Sequence, residues 1–190
     1  MSKLILLLGL HFGLLNAFGQ NEQLTIPKAL LTEIKKLSQA KAPALSILKM
    51  PGSDDKNAPG RFLKVDNAAP VSYSYNGRVK CCRAGGCNAP HVARLTEEFE
   101  FFDYLILYDN NGKILKVKVY NYEATHGQEI TLRKWLGQFI GFDASTTRMV
   151  VGKNVDSISG ATISVHGITD DINYNTRLLR TFLTNNISKL

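Results

Sequence analysis

Ile26, Leu30, Leu31, Ile34 and Leu37 recur three and four residues apart, and this spacing places one apolar stripe on a helix. Pro27 suits a first helical turn, so the pattern predicts a helix there. The pattern then breaks up. Pro43, Pro51, Gly52, Pro59, Gly60 and Pro70 interrupt residues 41–70, where only 61–65 read as a short strand. Asn76-Gly77 lies between Ser72-Tyr73-Ser74-Tyr75 and Arg78-Val79-Lys80, which predicts a two-residue hairpin turn.

The clearest patterning begins near Phe99. Residues 101–108 are aromatic and aliphatic enough for a strand, Asp109-Asn110-Asn111-Gly112 is a turn, and residues 114–120 alternate apolar positions with Lys116 and Lys118. The expected product is an antiparallel hairpin with one wet face. Leu132, Trp135, Leu136, Phe139 and Ile140 then follow helical spacing up to a stop at Gly141. A final helix is expected over about 164–183. Ile168, Ile172, Leu179 and Phe182 form its buried stripe, and Asp170, Asp171, Arg177 and Arg180 are placed to suit its dipole. The class is α+β, a small antiparallel sheet with packed helices. No internal repeat or low-complexity tract interrupts it.

At 190 residues the chain suits one domain with a modest extra segment. Its net charge of +7 is spread without a long basic run. That argues against a nucleic-acid groove and leaves solubility, acidic partners or an anionic membrane surface as uses for the charge. The first residues carry an address. Met1-Ser2-Lys3 is a short positive start, residues 4–15 are apolar apart from His11 and glycines, and Ala17-Phe18-Gly19 is a small-x-small cleavage site. The run falls short of the roughly 20 residues that span a bilayer. Residues 1–19 therefore read as a secretory signal, with the mature chain beginning near Gln20. The expected location is exported: periplasmic if the source is Gram-negative, otherwise secreted.

The chemistry concentrates in Asp156-Ser157-Ile158-Ser159-Gly160-Ala161-Thr162. Thr162 offers an oxygen able to form a phosphoester. A free alcohol is a weak nucleophile at neutral pH, and no base adjoins it in sequence, which favours modification by a separate enzyme. Gly160 and Ala161 leave the backbone approachable. Ser164 is suited to cap the following helix, whose N-terminus favours a phosphate. The alternative is an unmodified Ser/Gly-rich turn with an exposed Thr162.

The heptapeptide resembles the Asp-x-x-Ser/Thr-Gly-Ala-Thr/Ser flavinylation motif of the FMN-binding domain family, found in the C subunit of the sodium-translocating NADH:quinone reductase and the G subunit of Rnf electron-transport complexes. The order of strand, turn, strand, loop, helix, motif and helix over residues 99–183 is also similar. The resemblance implies an FMN-binding domain at 99–190, preceded at 20–98 by an extension carrying a helix and a Cys-containing hairpin. It implies FMN bound covalently through Thr162, with Ser159, Gly160 and Ala161 beside it and Asp156 recognised by an FMN transferase. The family's Glu-Thr-Pro-Gly-like loop corresponds here to Glu123-Ala124-Thr125-His126-Gly127. Glu123 is thus either a cofactor-side residue or a solvated carboxylate, and loss of the Pro alters the loop.

Cys81, Cys82 and Cys87 lie in Cys-Cys-Arg-Ala-Gly-Gly-Cys, with His91 beyond. In an exported chain the first expectation is a disulfide from Cys81 or Cys82 to Cys87 with one thiol left over. A thiol redox centre or a metal site with His91 stays open. Motifs for dinucleotides, P-loops, zinc proteases and α/β-hydrolases do not occur. The resulting expectation is an exported flavoprotein that relays electrons between membrane or extracytoplasmic partner proteins, rather than an enzyme with its own turnover. A non-redox interaction module and a thiol or metal redox protein are the alternatives.

Overall fold

Among the described residues five antiparallel strands pair in sequence order to make one meandering sheet: β1 (Ala44–Ile47), β2 (Gly60–Asp66), β3 (Tyr73–Arg83), β4 (Phe99–Tyr108) and β5 (Ile114–Glu123). The computed structural model describes residues 26–50, 60–83 and 99–187, without the side chains of 82, 83 and 187. The expected signal at 1–19, Cys87 and His91, and the Cys82 side chain lie outside the described residues, so the disulfide expectation does too. Among the described residues no helix is long and apolar enough to cross a membrane.

The interior strand β4 is buried on both faces, which explains its nearly unbroken apolar run. Phe102, Tyr104, Ile106 and Tyr108 point into the larger core, beneath the long helix α3 (Thr162–Ile187). Leu105 and Leu107 point the other way, onto α1 (Lys28–Ser38), where Leu30 and Ile34 are fully buried. The expected α1 stripe is thus only partly used: Leu37 stays at the surface. Glu33 instead sits inside, 4% exposed, between Lys118 (2.8 Å), Lys36 (3.2 Å) and Lys116 (3.7 Å). Burial alone would raise its carboxyl pKa. Hydrogen bonds from Lys118 and Lys36, with their charges, outweigh that and hold it below the ordinary 4.5. A carboxyl depressed in the fold contributes stability above its unfolded pKa and loses it as pH falls through the folded value. Acid titration of Tm should therefore drop below about pH 4.5 more steeply in the wild type than in Glu33→Gln; parallel curves would mean the cluster contributes nothing.

Asn76-Gly77 does not turn the chain. β3 runs straight through it, Gly77 pairing with Gly60 of β2 and Asn76 with Leu105 of β4. The glycines serve the Tyr75 ring, which lies buried over them. A Cβ at Gly60 would stand 2.2 Å from the Tyr75 hydroxyl, and one at Gly77 would stand 2.5 Å from the ring. Replacing Gly77 by Ala should cost about 1–3 kcal/mol through forced displacement of that ring, read as a lower urea midpoint at unchanged slope. A Gly77→Ala protein as stable as the wild type would remove this reason for the glycine. Cys81 and the Cys82 backbone accordingly lie near the end of β3, a long strand paired with both β2 and β4.

Two helical expectations also change. The 132–140 stripe is broken into one α turn, α2 (Arg133–Leu136), and a 3-10 turn (Gly137–Phe139), with another 3-10 turn (Gln128–Thr131) just before it. Leu132 and Ile140 remain exposed, because a path this short presents only Trp135, Leu136 and Phe139 inward. α3 begins at Thr162 and reaches Ile187, so Asp170 and Asp171 lie beyond its first turn and Arg177 and Arg180 before its last. Their dipole role lapses. Asp170 pairs with Arg148 (2.7 Å), Asp171 accepts the Tyr104 hydroxyl (2.6 Å), and Arg180 reaches Asp143 (3.3 Å).

Candidate functional site

The motif is the last irregular segment before α3, and the α2 region holds the backbone at its front. Trp135 donates its indole N–H to the Asp156 carbonyl (2.9 Å), and the Asp156 N–H donates to the Gln138 side-chain oxygen (2.8 Å). The α2 region thus holds the front of the heptapeptide. Upstream, Asn173 on α3 clasps both backbone groups of Met149, accepting from its N–H (2.9 Å) and donating to its carbonyl (2.8 Å). At the far end the Ala161 N–H bonds the Ile158 carbonyl (3.2 Å), Gly160 adopts a left-handed φ of 80°, and the Ala161 carbonyl accepts the first helical bond from Val165 (2.9 Å).

Thr162 is therefore the first residue of α3, exposed, between the buried Ala161 and the buried pair Ser164 and Val165. It is exposed at the first turn, where the N–H groups of a helix have no intrahelical acceptors. Ser164 does not cap the helix, as its position suggested. It lies inside the first turn and donates its hydroxyl to the Cys81 sulfur at 3.4 Å. Asp156, Ser159 and Gly160 are exposed around the same turn.

The loop after β5 comes to the motif. Gly127, at φ 87°, lies so close that a Cβ there would stand 3.0 Å from Ala161 Cβ and 3.2 Å from the Tyr122 hydroxyl. Tyr122 donates that hydroxyl to the His126 carbonyl, and Thr125 bonds Glu100 through both its N–H (3.2 Å) and its hydroxyl. These bonds shape a loop that has no Pro. The Tyr122 ring stacks on Phe102 with centroids 5.8 Å apart. Burial pushes its phenol pKa up, opposed by a hydrogen bond with Ser164 and reinforced by the nearby Cys81, Glu129 and Glu100. Glu123, by contrast, is the exposed last residue of β5, paired with Phe101 across the ladder.

Ala161 and Thr162 are thus brought together with Gly127, Tyr122, Ser164 and Cys81, and Asp156 is anchored through its backbone to Trp135 and Gln138. Residues 102–175 match the family model described as FMN-binding domain. The chain carries an FMN-binding domain. The matched segment runs from Phe102 on β4, beneath Tyr122, through the motif and into the middle of α3. This FMN-binding domain also rests on a strand outside the match: β3 supplies Cys81, and Val79 lies against Gly167 of α3, where a Cβ would stand 2.8 Å from a Val79 methyl. No curated protein matches the chain.

Sequence reasoning missed Tyr122, Gln138 and Asn173. Tyr122 lies past the expected strand end at 120, and the apolar stripes of the helices do not include Gln138 or Asn173. The one available signal was Asn173 falling between Ile172 and Thr176 on the inward side of α3, where a polar residue needs partners. Among the described residues no group of His, Cys, Asp and Glu is placed to hold a metal ion.

Proposed function

We propose that this protein is an exported electron carrier whose FMN is tethered by a phosphoester to Thr162. The observation that supports this best is the position of Thr162: an exposed hydroxyl on the first residue of a 26-residue helix, after the two smallest side chains of its motif and opposite Gly127. The residues present fit the group. The Thr162 oxygen would hold the phosphorus, and the open N–H groups of the first turn would stabilise the remaining phosphate charge. The absence of bulk at Ala161 and Gly127 leaves the turn accessible to a transferase, which would recognise the exposed Asp156.

FMN, when bound, supplies reversible one- and two-electron redox chemistry. The chain's own contribution is to hold and shield it. Tyr122 and Phe102 form a stacked wall behind the helix start, and the bond from the Tyr122 hydroxyl to the His126 carbonyl holds the outer ring in place. A tether keeps the cofactor at high effective concentration outside the cytoplasm, where dissociation would dilute it. The exported location rests on the positive start and apolar run of residues 1–15, and the partners would be membrane-bound or exported redox proteins.

The test is intact mass with peptide mapping on protein exported from cells that also express an FMN transferase. The expected result is an increment equal to FMN less one water on the peptide containing Thr162. An unmodified peptide, under conditions that fully modify a known target, would overturn the proposal and bring the interaction-module and thiol-redox alternatives forward.

A further inference from the structure

Away from the motif, β5 ends the sheet, so its outer side has no strand partner among the described residues. At Ile114 that side is taken by backbone bonds to Phe142 and Gly141, each 2.8 Å. Beyond Ile114 the edge forms the floor of a groove of about 370 Å³ between α1 on one bank and the α2 region on the other. Residues 116–119 span about 10 Å of extended backbone there. Four cations line the groove, Lys36, Lys116, Lys118 and Arg133, against the single carboxylate of Glu33. Val117, Val119 and Leu136 give it an apolar floor and wall.

Lysines on an edge strand ordinarily guard it against pairing with another chain. Here Lys116 and Lys118 reach Glu33 on α1, at 3.7 and 2.8 Å, which sets positive charge along one bank.

We propose that this groove binds an extended, acidic segment of a partner protein, which adds as a sixth strand beside β5. Backbone pairing supplies the affinity, alternate side chains meet the apolar floor, and carboxylates meet Lys36, Lys116, Lys118 and Arg133. The inference does not depend on flavin attachment, since the groove lies on the edge of β5 and uses none of the motif residues.

Fluorescence anisotropy on the mature chain tests it, with labelled octapeptides as probes. An alternating Glu-Val peptide should bind saturably. N-methylation of either its odd or its even residues, but not both sets alike, should weaken it at least tenfold, because only one set faces the β5 backbone. Lys36→Glu with Arg133→Glu should weaken it to a similar degree, and Lys36→Arg with Arg133→Lys should preserve it. The same behaviour is expected in Thr162→Ala protein. Binding unaffected by either methylation would overturn strand addition, equal binding of a Lys-Val peptide would overturn the charge argument, and no saturation up to about 1 mM would overturn both.

Discussion

Thr162→Ala protein, exported alongside an FMN transferase, is expected to carry no covalent flavin, whereas Thr162→Ser should be labelled to near wild-type extent. The contrast follows from what each change removes. Alanine deletes the only oxygen that the first residue of α3 presents to solvent, and it leaves the backbone, the buried Ala161 and the Ser164 contact in place. Alanine is also the best helix former, so stability should stay within about 0.5 kcal/mol of wild type. Serine keeps the oxygen on the same carbon. The readout is yellow colour retained after denaturation and desalting, with intact mass as the check. Ser159→Ala serves as a control for the neighbouring hydroxyl: Ser159 is exposed and lies before the helix start, and its loss should leave the Thr162 linkage formed. Covalent flavin at wild-type level in Thr162→Ala would eliminate the attachment proposal.

What was legible in the sequence is what local spacing encodes. The β4 to β5 hairpin appears where it was expected, closed by Asp109, whose carboxylate accepts from the N–H groups of Asn111 (2.8 Å) and Lys113 (2.9 Å). The motif is likewise local, and Gly160 and Ala161 read as small because the turn and the neighbouring loop require it. Features set by distant residues were hidden. Asn76-Gly77 carries a turn signature, yet the Tyr75 ring needs a surface without side chains and keeps the strand running. β1 escaped notice because it is only four residues long, mostly exposed, and set in a Pro-interrupted stretch. The stripe over 132–140 has helical spacing, but only its middle faces the core. The polar layer under α3 could not be inferred without the fold. Tyr104 bonds Asp171, Tyr108 meets Thr176 at 3.2 Å, and Asn173 holds Met149, each pair far apart in sequence. That layer fixes the rotation of α3, and with it the direction in which Thr162 points.

Trp135→Ala should destabilise the protein by about 3–5 kcal/mol, a large share of the 5–15 kcal/mol typical of a domain. The ring is 6% exposed in the larger core and meets Phe139 edge-on at 5.5 Å, so truncation opens a cavity that the two flanking 3-10 turns cannot easily close. Core packing is only half of its role. The indole N–H holds the Asp156 carbonyl, and Trp135→Phe separates the two functions. Phenylalanine fills most of the space and removes the donor, so the expected loss is about 1 kcal/mol. The front of the motif would then be held by Gln138 alone. If Trp135 positions the motif, Trp135→Phe should slow flavin attachment several-fold at a temperature where the protein is fully folded, and Gln138→Ala should slow it similarly. Attachment at the wild-type rate in both variants would confine Trp135 to the core. The motif would then be shaped by its own left-handed turn at Gly160 and the bond from the Ala161 N–H to the Ile158 carbonyl.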